Sequence, residues 1–535
     1  MTPSFNLLNE RWIPCIHSKG QRELLGLRDV LVQAHDIREI YNDSPLTVAA
    51  LHRLLLVITH RVFGPKDRKV WANLWSAGKW DERKLDRYFQ KCESRLRLFD
   101  DAHPFYQVAE FASDTEPRVG TLSQMSLELS SGNNTMMFDH HSDSTPQSVS
   151  PAEAARRLLT IQAFAIGFGI SHKFKKETVH LHDAPCARGA LFFVQGANLF
   201  ETLLLSMRPY PDPRSRLSDN PKEDKPAWEM DDPLKPKRAV PLGYLDYLTW
   251  QSLQIKLITD ETGQVIGVQR IQGLGMDKDA VLDPLKSYRA DKKTGEPIVR
   301  GFNPERVLWR DSAALFQVAD TDTRDTPENF KLLSELVRNK VLKREQQFRY
   351  AAIGLATQEG QARNVSLWRY ERMPLPLAYL DDRTNVERLQ KVLQLAEDVH
   401  YRLADAREWL AWVWLKPSAY ERFDEWKKSS DYAKRNDNAS FTTLRDRLSV
   451  SQRFWWRLDQ PFAEIMPTLA QGQTQSQQAM LEWREVLKQT ARSALSEITN
   501  GLEESPRTLR AIAKAQEQLE RGLGWALKIQ EGGQA

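Results

Sequence analysis

Cysteine is scarce in this chain. There are three among 535 residues, Cys15, Cys92 and Cys186, and no CxxC pair. Cysteines so few, so scattered and odd in number argue against a disulfide framework or a cysteine-rich zinc site, and they fit a reducing cytoplasm. Long apolar runs are missing as well. No stretch reaches the roughly 18 consecutive apolar residues of a transmembrane helix, so no membrane partner is expected. The opening MTPSFNLLNERW lacks a basic start followed by an apolar stretch, so no secretory leader is expected either. Charge of one sign is also lacking: 75 basic residues face 71 acidic ones, net +4, too mild to argue for nucleic acid unaided. His-Glu-x-x-His, the phosphate-cradling Gly-x-x-x-x-Gly-Lys-Ser/Thr and the nucleophile elbow Gly-x-Ser-x-Gly are all absent. The expectation is a protein that is not an enzyme and needs no cofactor. No internal repeat and no low-complexity tract is visible.

What is present divides in two. The length allows roughly two to four domains. Residues 1–376 read as a mixed α/β domain. Short apolar stretches at Trp12–Ile16, Ala190–Val194 and Leu253–Ile258 have strand character. Helical stretches at Pro45–Val62, Pro151–Ile166 and about 329–350 separate them, and Ser150-Pro151 supplies a cap and a first-turn proline. The stretch from Met207 to Pro241, rich in Pro, Asp, Lys and Arg, reads as a surface loop pinned by Trp228. Residues 377–535 read as helical. Leu389, Leu393, Ala396, Val399 and Leu403 recur at helical spacing, as do Leu509, Ile512, Gln516, Leu519, Leu523 and Leu527. Helices at about 441–470 and 475–500 lie between, with a short excursion at 418–434. The fold class expected is α+β: a mixed domain followed by an antiparallel four-helix bundle.

The sharpest catalytic candidate is His182-Asp183, preceded by His180 and, further upstream, by His140-His141. Imidazoles and carboxylates converging on divalent ions would make a metal-dependent phosphohydrolase. The bland reading is a loop ending at Pro185. Three other loops have binding character. In Ser130–His141, the turn-formers Gly132, Asn133 and Asn134 precede Met136, Met137 and Phe138. Such a tip either folds back on its own domain or inserts into a partner. In Gly167–Lys176, two glycines permit close backbone approach and three lysines follow. Backbone amides and lysines can meet a nucleic-acid backbone, and a turn leading into a solvated strand is the competing reading. In Gly354–Arg363, Gln358 and Gln361 flank Gly360 in a link where a glutamine is ordinarily just solvated.

At these residues the sequence resembles a known family. Phe5-Asn6 through Trp12-Ile13-Pro14-Cys15, Ala102-His103-Pro104-Phe105-Tyr106-Gln107, the Gly132–His140 loop, Asp183–Leu191, Pro226-Ala227-Trp228-Glu229, Gly243–Gln251 and Leu367-Trp368-Arg369 carry the likeness. They resemble the CasA family, the large subunit of the type I-E CRISPR surveillance complex, Cascade. The resemblance implies a non-catalytic subunit near the 5′ handle of the guide RNA, docked on the other Cascade subunits. Such a subunit reads the protospacer-adjacent motif in double-stranded DNA, promotes R-loop formation, holds the displaced strand and recruits the helicase–nuclease in antiviral defence. It also implies roles for residues. Gly167, Gly169 and Ile170 resemble the loop that reads the motif in the minor groove. Gln361, with Gln358 as the second choice, falls at the wedge that enters the first base pairs opened, and Lys278 at a lysine finger. Asn133, Asn134, Met137 and Phe138 match the loop that meets the guide handle and a neighbouring subunit. Arg445, Arg453, Arg484, Lys488 and Arg492 are the candidates for displaced-strand binding.

Overall fold

The computed structural model describes residues 4–127, 148–167, 169–209, 223–277, 280–291, 293–302, 307–317, 324–358, 361–416, 423, 425 and 439–528. It is an α+β chain that divides into two compact units, residues 1–304 with 320–373, and residues 305–319 with 374–535. The boundary read from sequence, 376/377, falls close to the last of these crossings, and the 305–319 segment joins the second unit.

The first unit is organised around the helix Pro45–Phe63. Ser44 caps it by accepting from Thr47 N (3.4 Å), Pro45 opens its first turn, and most of its side chains are buried. It is the one described helix long and apolar enough to cross a membrane, yet 89% of that apolar window is buried, and it carries the interior Arg53 and His60. The helix Pro151–Phe164 packs on it, capped by Ser150 as the sequence predicts, with Thr47 and Thr160 hydroxyls 2.9 Å apart between them. Strand Ile13–His17 lies between Arg22–Leu25 and Ile37–Ile40 in an antiparallel sheet. The opening motif plugs this region: Trp12 is fully buried and its indole donates to Leu7 O (2.8 Å). Strands Leu253–Thr259 and Val265–Gln272 form a hairpin.

One element differs from the sequence reading. The helix Glu328–Arg338 stops well short of residue 350, and Gln347–Gln358 is a strand. It lies between Leu191–Gln195 and Gln361–Pro376 in a three-stranded sheet. Tyr350–Ala356 is buried without interruption, so its apolar run has no alternation to separate strand from helix.

The second unit contains four long helices, Arg383–Leu415, Ser451–Leu469, Gln473–Asn500 and Pro506–Ala526, with a shorter one at Ala439–Arg447. The first of them packs against each of the other three. Leu389, Leu393, Ala396, Val399 and Leu403 all point inward, as their spacing predicts. The last helix buries Leu519 and Leu523 of its predicted stripe and corrects the upstream part. Its buried face runs through Thr508, Ala511, Ala515 and Leu519, and Leu509 is 57% exposed. Small residues there let the 383–415 helix approach closely, an arrangement that outranks the burial of one leucine. The 418–434 excursion lies largely outside the described residues. Trp309 completes this core. It stacks on Phe462 with centroids 4.2 Å apart, meets Trp455 edge-on, and donates to Asp459 Oδ1 (2.5 Å).

Candidate nucleic-acid interface

The helix Pro151–Phe164 delivers the chain to Gly167. Gly167 N donates to Asp183 Oδ1 (2.7 Å), and Arg188 grips the same carboxylate through its Nε (2.8 Å). A Cβ on Gly167 would lie 2.4 Å from the backbone carbon of His182, so only glycine fits. Gly169 has φ +83° and faces open space. Both Asp183 oxygens are thus engaged in shaping the glycine turn. Among the described residues no three His, Cys, Asp or Glu side chains are grouped to hold a metal. His140 and His141 lie outside the described residues.

From this turn rises an exposed antiparallel hairpin, Ile170–Phe174 paired with Glu177–His180. Ile170 is 66% exposed. Ser171 fastens the base, its hydroxyl accepting from Gln272 N (2.7 Å). The tip is a two-residue turn in which Lys175 (φ 49°) and Lys176 (φ 66°) are both left-handed. That conformation costs non-glycine residues about 1–2 kcal/mol each, and asparagine and glycine usually occupy it. Asp114 offsets the cost. One carboxylate oxygen accepts from Lys175 N (2.8 Å), the other from Lys176 N (3.1 Å), and Asp114 N donates to Lys173 O (3.0 Å). These backbone bonds hold the Asp114 carboxyl below its ordinary range. No feature of the sequence pointed to Asp114, because its partners lie about sixty residues away.

His172 and Phe174 form one wall of a cavity of about 540 Å³ whose other walls include Phe105, Tyr106 and Trp228. Burial lowers the pKa of His172. Two of the motifs singled out in the sequence, at 102–107 and 226–229, line this cavity together with Gln251 of a third. Gln107 donates to Leu98 O (2.6 Å) and accepts from Leu257 N (2.9 Å). Trp228 donates to the Tyr88 hydroxyl (2.9 Å), as the pinned-loop reading requires. Thr249 accepts from Ala227 N (2.9 Å), and Trp250 donates to Leu274 O (3.1 Å). Leu274 stands four residues before Lys278, the choice for a lysine finger. Five residues after Lys278, Asp283 is locked in the interior by Arg53 (3.2 Å) and the Tyr247 hydroxyl (2.7 Å). Lys278 itself lies outside the described residues, as do Asn133, Asn134, Met137 and Phe138.

Gln358 ends one long strand and Gln361 begins its neighbour in the sheet, so both glutamines stand at strand ends and not in a link after a helix. In the second unit the five cations separate. Arg484, Lys488 and Arg492 line one open groove with Leu481, Glu520 and Leu527. Arg492 is already held bidentately by Glu520 (2.7 and 2.6 Å), which lowers the Glu520 carboxyl and raises the guanidinium. Arg453 reaches Glu497 (3.5 Å), and Arg445 pairs with Asp446 (2.8 Å).

An α+β chain with an exposed basic hairpin on a glycine turn is the class these features define. The family model described as CRISPR-associated protein Cse1 matches residues 6–494. CRISPR-associated protein CasA/Cse1 of Thermus thermophilus is 30% identical over 534 residues, covering 97% of each chain. The crystal structure of Thermus thermophilus CasA has a TM-score of 0.77 at 27% identity, over 98% of this chain and 100% of that one. Thermobifida fusca Cse1 gives 0.77 at 24% identity, over 97% and 98% of the two chains. A chain of a CRISPR RNA-guided surveillance complex shares the fold at TM-score 0.72 and 19% identity, over 97% of this chain and 100% of that one. The chain belongs to the CasA/Cse1 family, the large subunits of type I-E CRISPR surveillance complexes.

Proposed function

We propose that this chain recognises a short motif beside the target in double-stranded DNA and promotes opening of the duplex, as a non-catalytic subunit working with guide RNA and the other subunits of its complex. The observation that carries the reading is the glycine turn: Gly167 bolted to Asp183, Gly169 left-handed, and Ile170 held out in solvent. Two glycines beside an exposed apolar side chain suit close approach to a minor groove, whose degenerate pattern tolerates more than one motif. Gln361 acts as the wedge, Gln358 being the second choice, and Lys278 as a finger between two anchored ends. Asn133, Asn134, Met137 and Phe138 dock on the guide handle and the neighbouring subunit. The long helices of the second unit form an antiparallel four-helix bundle, in keeping with the short connections that join the last three of them. Its Arg484–Lys488 groove takes the displaced strand, with Arg445 and Arg453 as flanking contacts. The same subunit presents the platform for a helicase–nuclease.

The test is a complex assembled with and without this chain and offered a library of flanking motifs. Motif preference should vanish with the chain. Preference unchanged in its absence would assign motif reading to another subunit. In the assembled complex, Gln361→Ala should impair opening of linear duplex by about tenfold or more, and negatively supercoiled DNA should restore it, since seed opening is a near-balanced exchange. Equal permanganate reactivity of the displaced strand in mutant and parent would sink the wedge assignment. Phe138→Ala should release the chain from the guide-bearing remainder in a pull-down.

A further inference from the structure

We propose that the Ile170–His180 hairpin is a sequence-independent clamp on the phosphates of duplex DNA, and that Asp114 is the residue that positions it. The inference rests on the DNA-reading function proposed above for its ligand, and on separate observations for its mechanism. Lys173, Lys175 and Lys176 crowd an exposed tip, and none of their ammonium groups has a carboxylate partner among the described residues. Lysines on a surface ordinarily sit on relaxed backbone. Here two of them occupy consecutive left-handed positions where asparagine and glycine would be unstrained. Backbone strain borne by two cationic residues points to charges that have a target.

Asp114 gives the strain its support. It holds the turn through both lysine amides and through the carbonyl of Lys173, so its carboxylate is engaged by backbone, while the Lys175 ammonium lies 5.4 Å over the Phe174 ring. Ser171 and Gln272 fix the other end, at the junction of the hairpin with the glycine turn. A phosphodiester backbone is the partner such a tip fits: anionic, repetitive and indifferent to sequence. The hairpin grips the duplex, and the glycine turn at its base is left to inspect the bases.

The experiment uses the assembled complex and duplexes with and without the preferred motif, titrated across salt concentrations. Lys175→Asn with Lys176→Gly preserves the turn, relieves its strain and removes two charges. Affinity should fall for both duplexes alike, and the slope of log affinity against log salt should become shallower by up to about 0.9 per lost contact. The ratio between the two duplexes should stay constant. Asp114→Ala should weaken both duplexes in the parent background and have no further effect on affinity in the double-lysine variant, which a purely structural role would not produce. An unchanged salt slope in the lysine variant overturns the clamp. A lost motif ratio with an intact slope also overturns it, because the hairpin would then be reading bases. If the parent complex shows no motif preference at all, the function proposed above fails, and the salt slope still decides the clamp.

Discussion

Gly167 and Gly169 stand two residues apart and should fail differently when substituted. A methyl group on Gly167 meets the His182–Asp183 backbone, which cannot step aside without dismantling the turn. A methyl group on Gly169 meets nothing, and only the left-handed backbone resists it. Gly169→Ala should therefore cost about 1 kcal/mol, and Gly167→Ala distinctly more, with loss of motif preference; chemical denaturation and binding on the same preparations would check both. His400 gives a second residue-scale expectation. Burial, then Arg310 and Arg407, lowers its pKa to about 4, against 6.5 for a free side chain. Between those values the unfolded chain takes up a proton that the folded chain refuses. Stability of the second unit should thus fall as pH drops from about 6.5 to 4, by at most about 1.4 kcal/mol per pH unit from this group. His400→Gln should flatten that part of the pH profile, and an unchanged profile would place the titration elsewhere.

Among the elements, Trp309 matters most for its size. It fills the second unit against Phe462 and Trp455, with Arg310 lying 3.9 Å over the Trp455 ring. Trp309→Ala should cost about 3–5 kcal/mol, read as an earlier unfolding transition of that unit. Nothing in the sequence near Trp309 announced this packing, because its partners come about 150 residues later. The legible elements were those with local causes. Ser150-Pro151 set a helix start, and the 389–403 stripe set a buried face, because caps and periodicity act within a few turns. The strand Gln347–Gln358 and the Ala511–Ala515 face were misread because both depend on neighbours distant in sequence. The glycine turn was legible as a pair of glycines. The hand that holds it, Asp183 with Arg188 and, further out, Asp114, was visible only in three dimensions.

At the scale of the whole molecule, net charge says little and its placement says more. Arg492 already faces Glu520, so Arg492→Gln together with Glu520→Gln should leave capture of the displaced strand unchanged. Arg484 has no carboxylate partner among the described residues, and Lys488 only a loose one at 3.9 Å from Glu485. Arg484→Gln with Lys488→Gln should therefore expose the displaced strand to nuclease in the assembled complex. Protection equal to the parent's would remove this groove from the path of the strand.

The division of the chain also has a consequence in time. Residues 305–319 belong with helices that the ribosome has not yet made when this segment emerges. At about 5–20 residues per second, Trp309 waits several seconds to half a minute for Asp459 and Phe462. During that interval a large indole has no pocket of its own. The nascent chain should be a client of trigger-type holding chaperones in the window between the two, and ribosomes stalled before residue 462 should yield a protease-sensitive second half beside a resistant first.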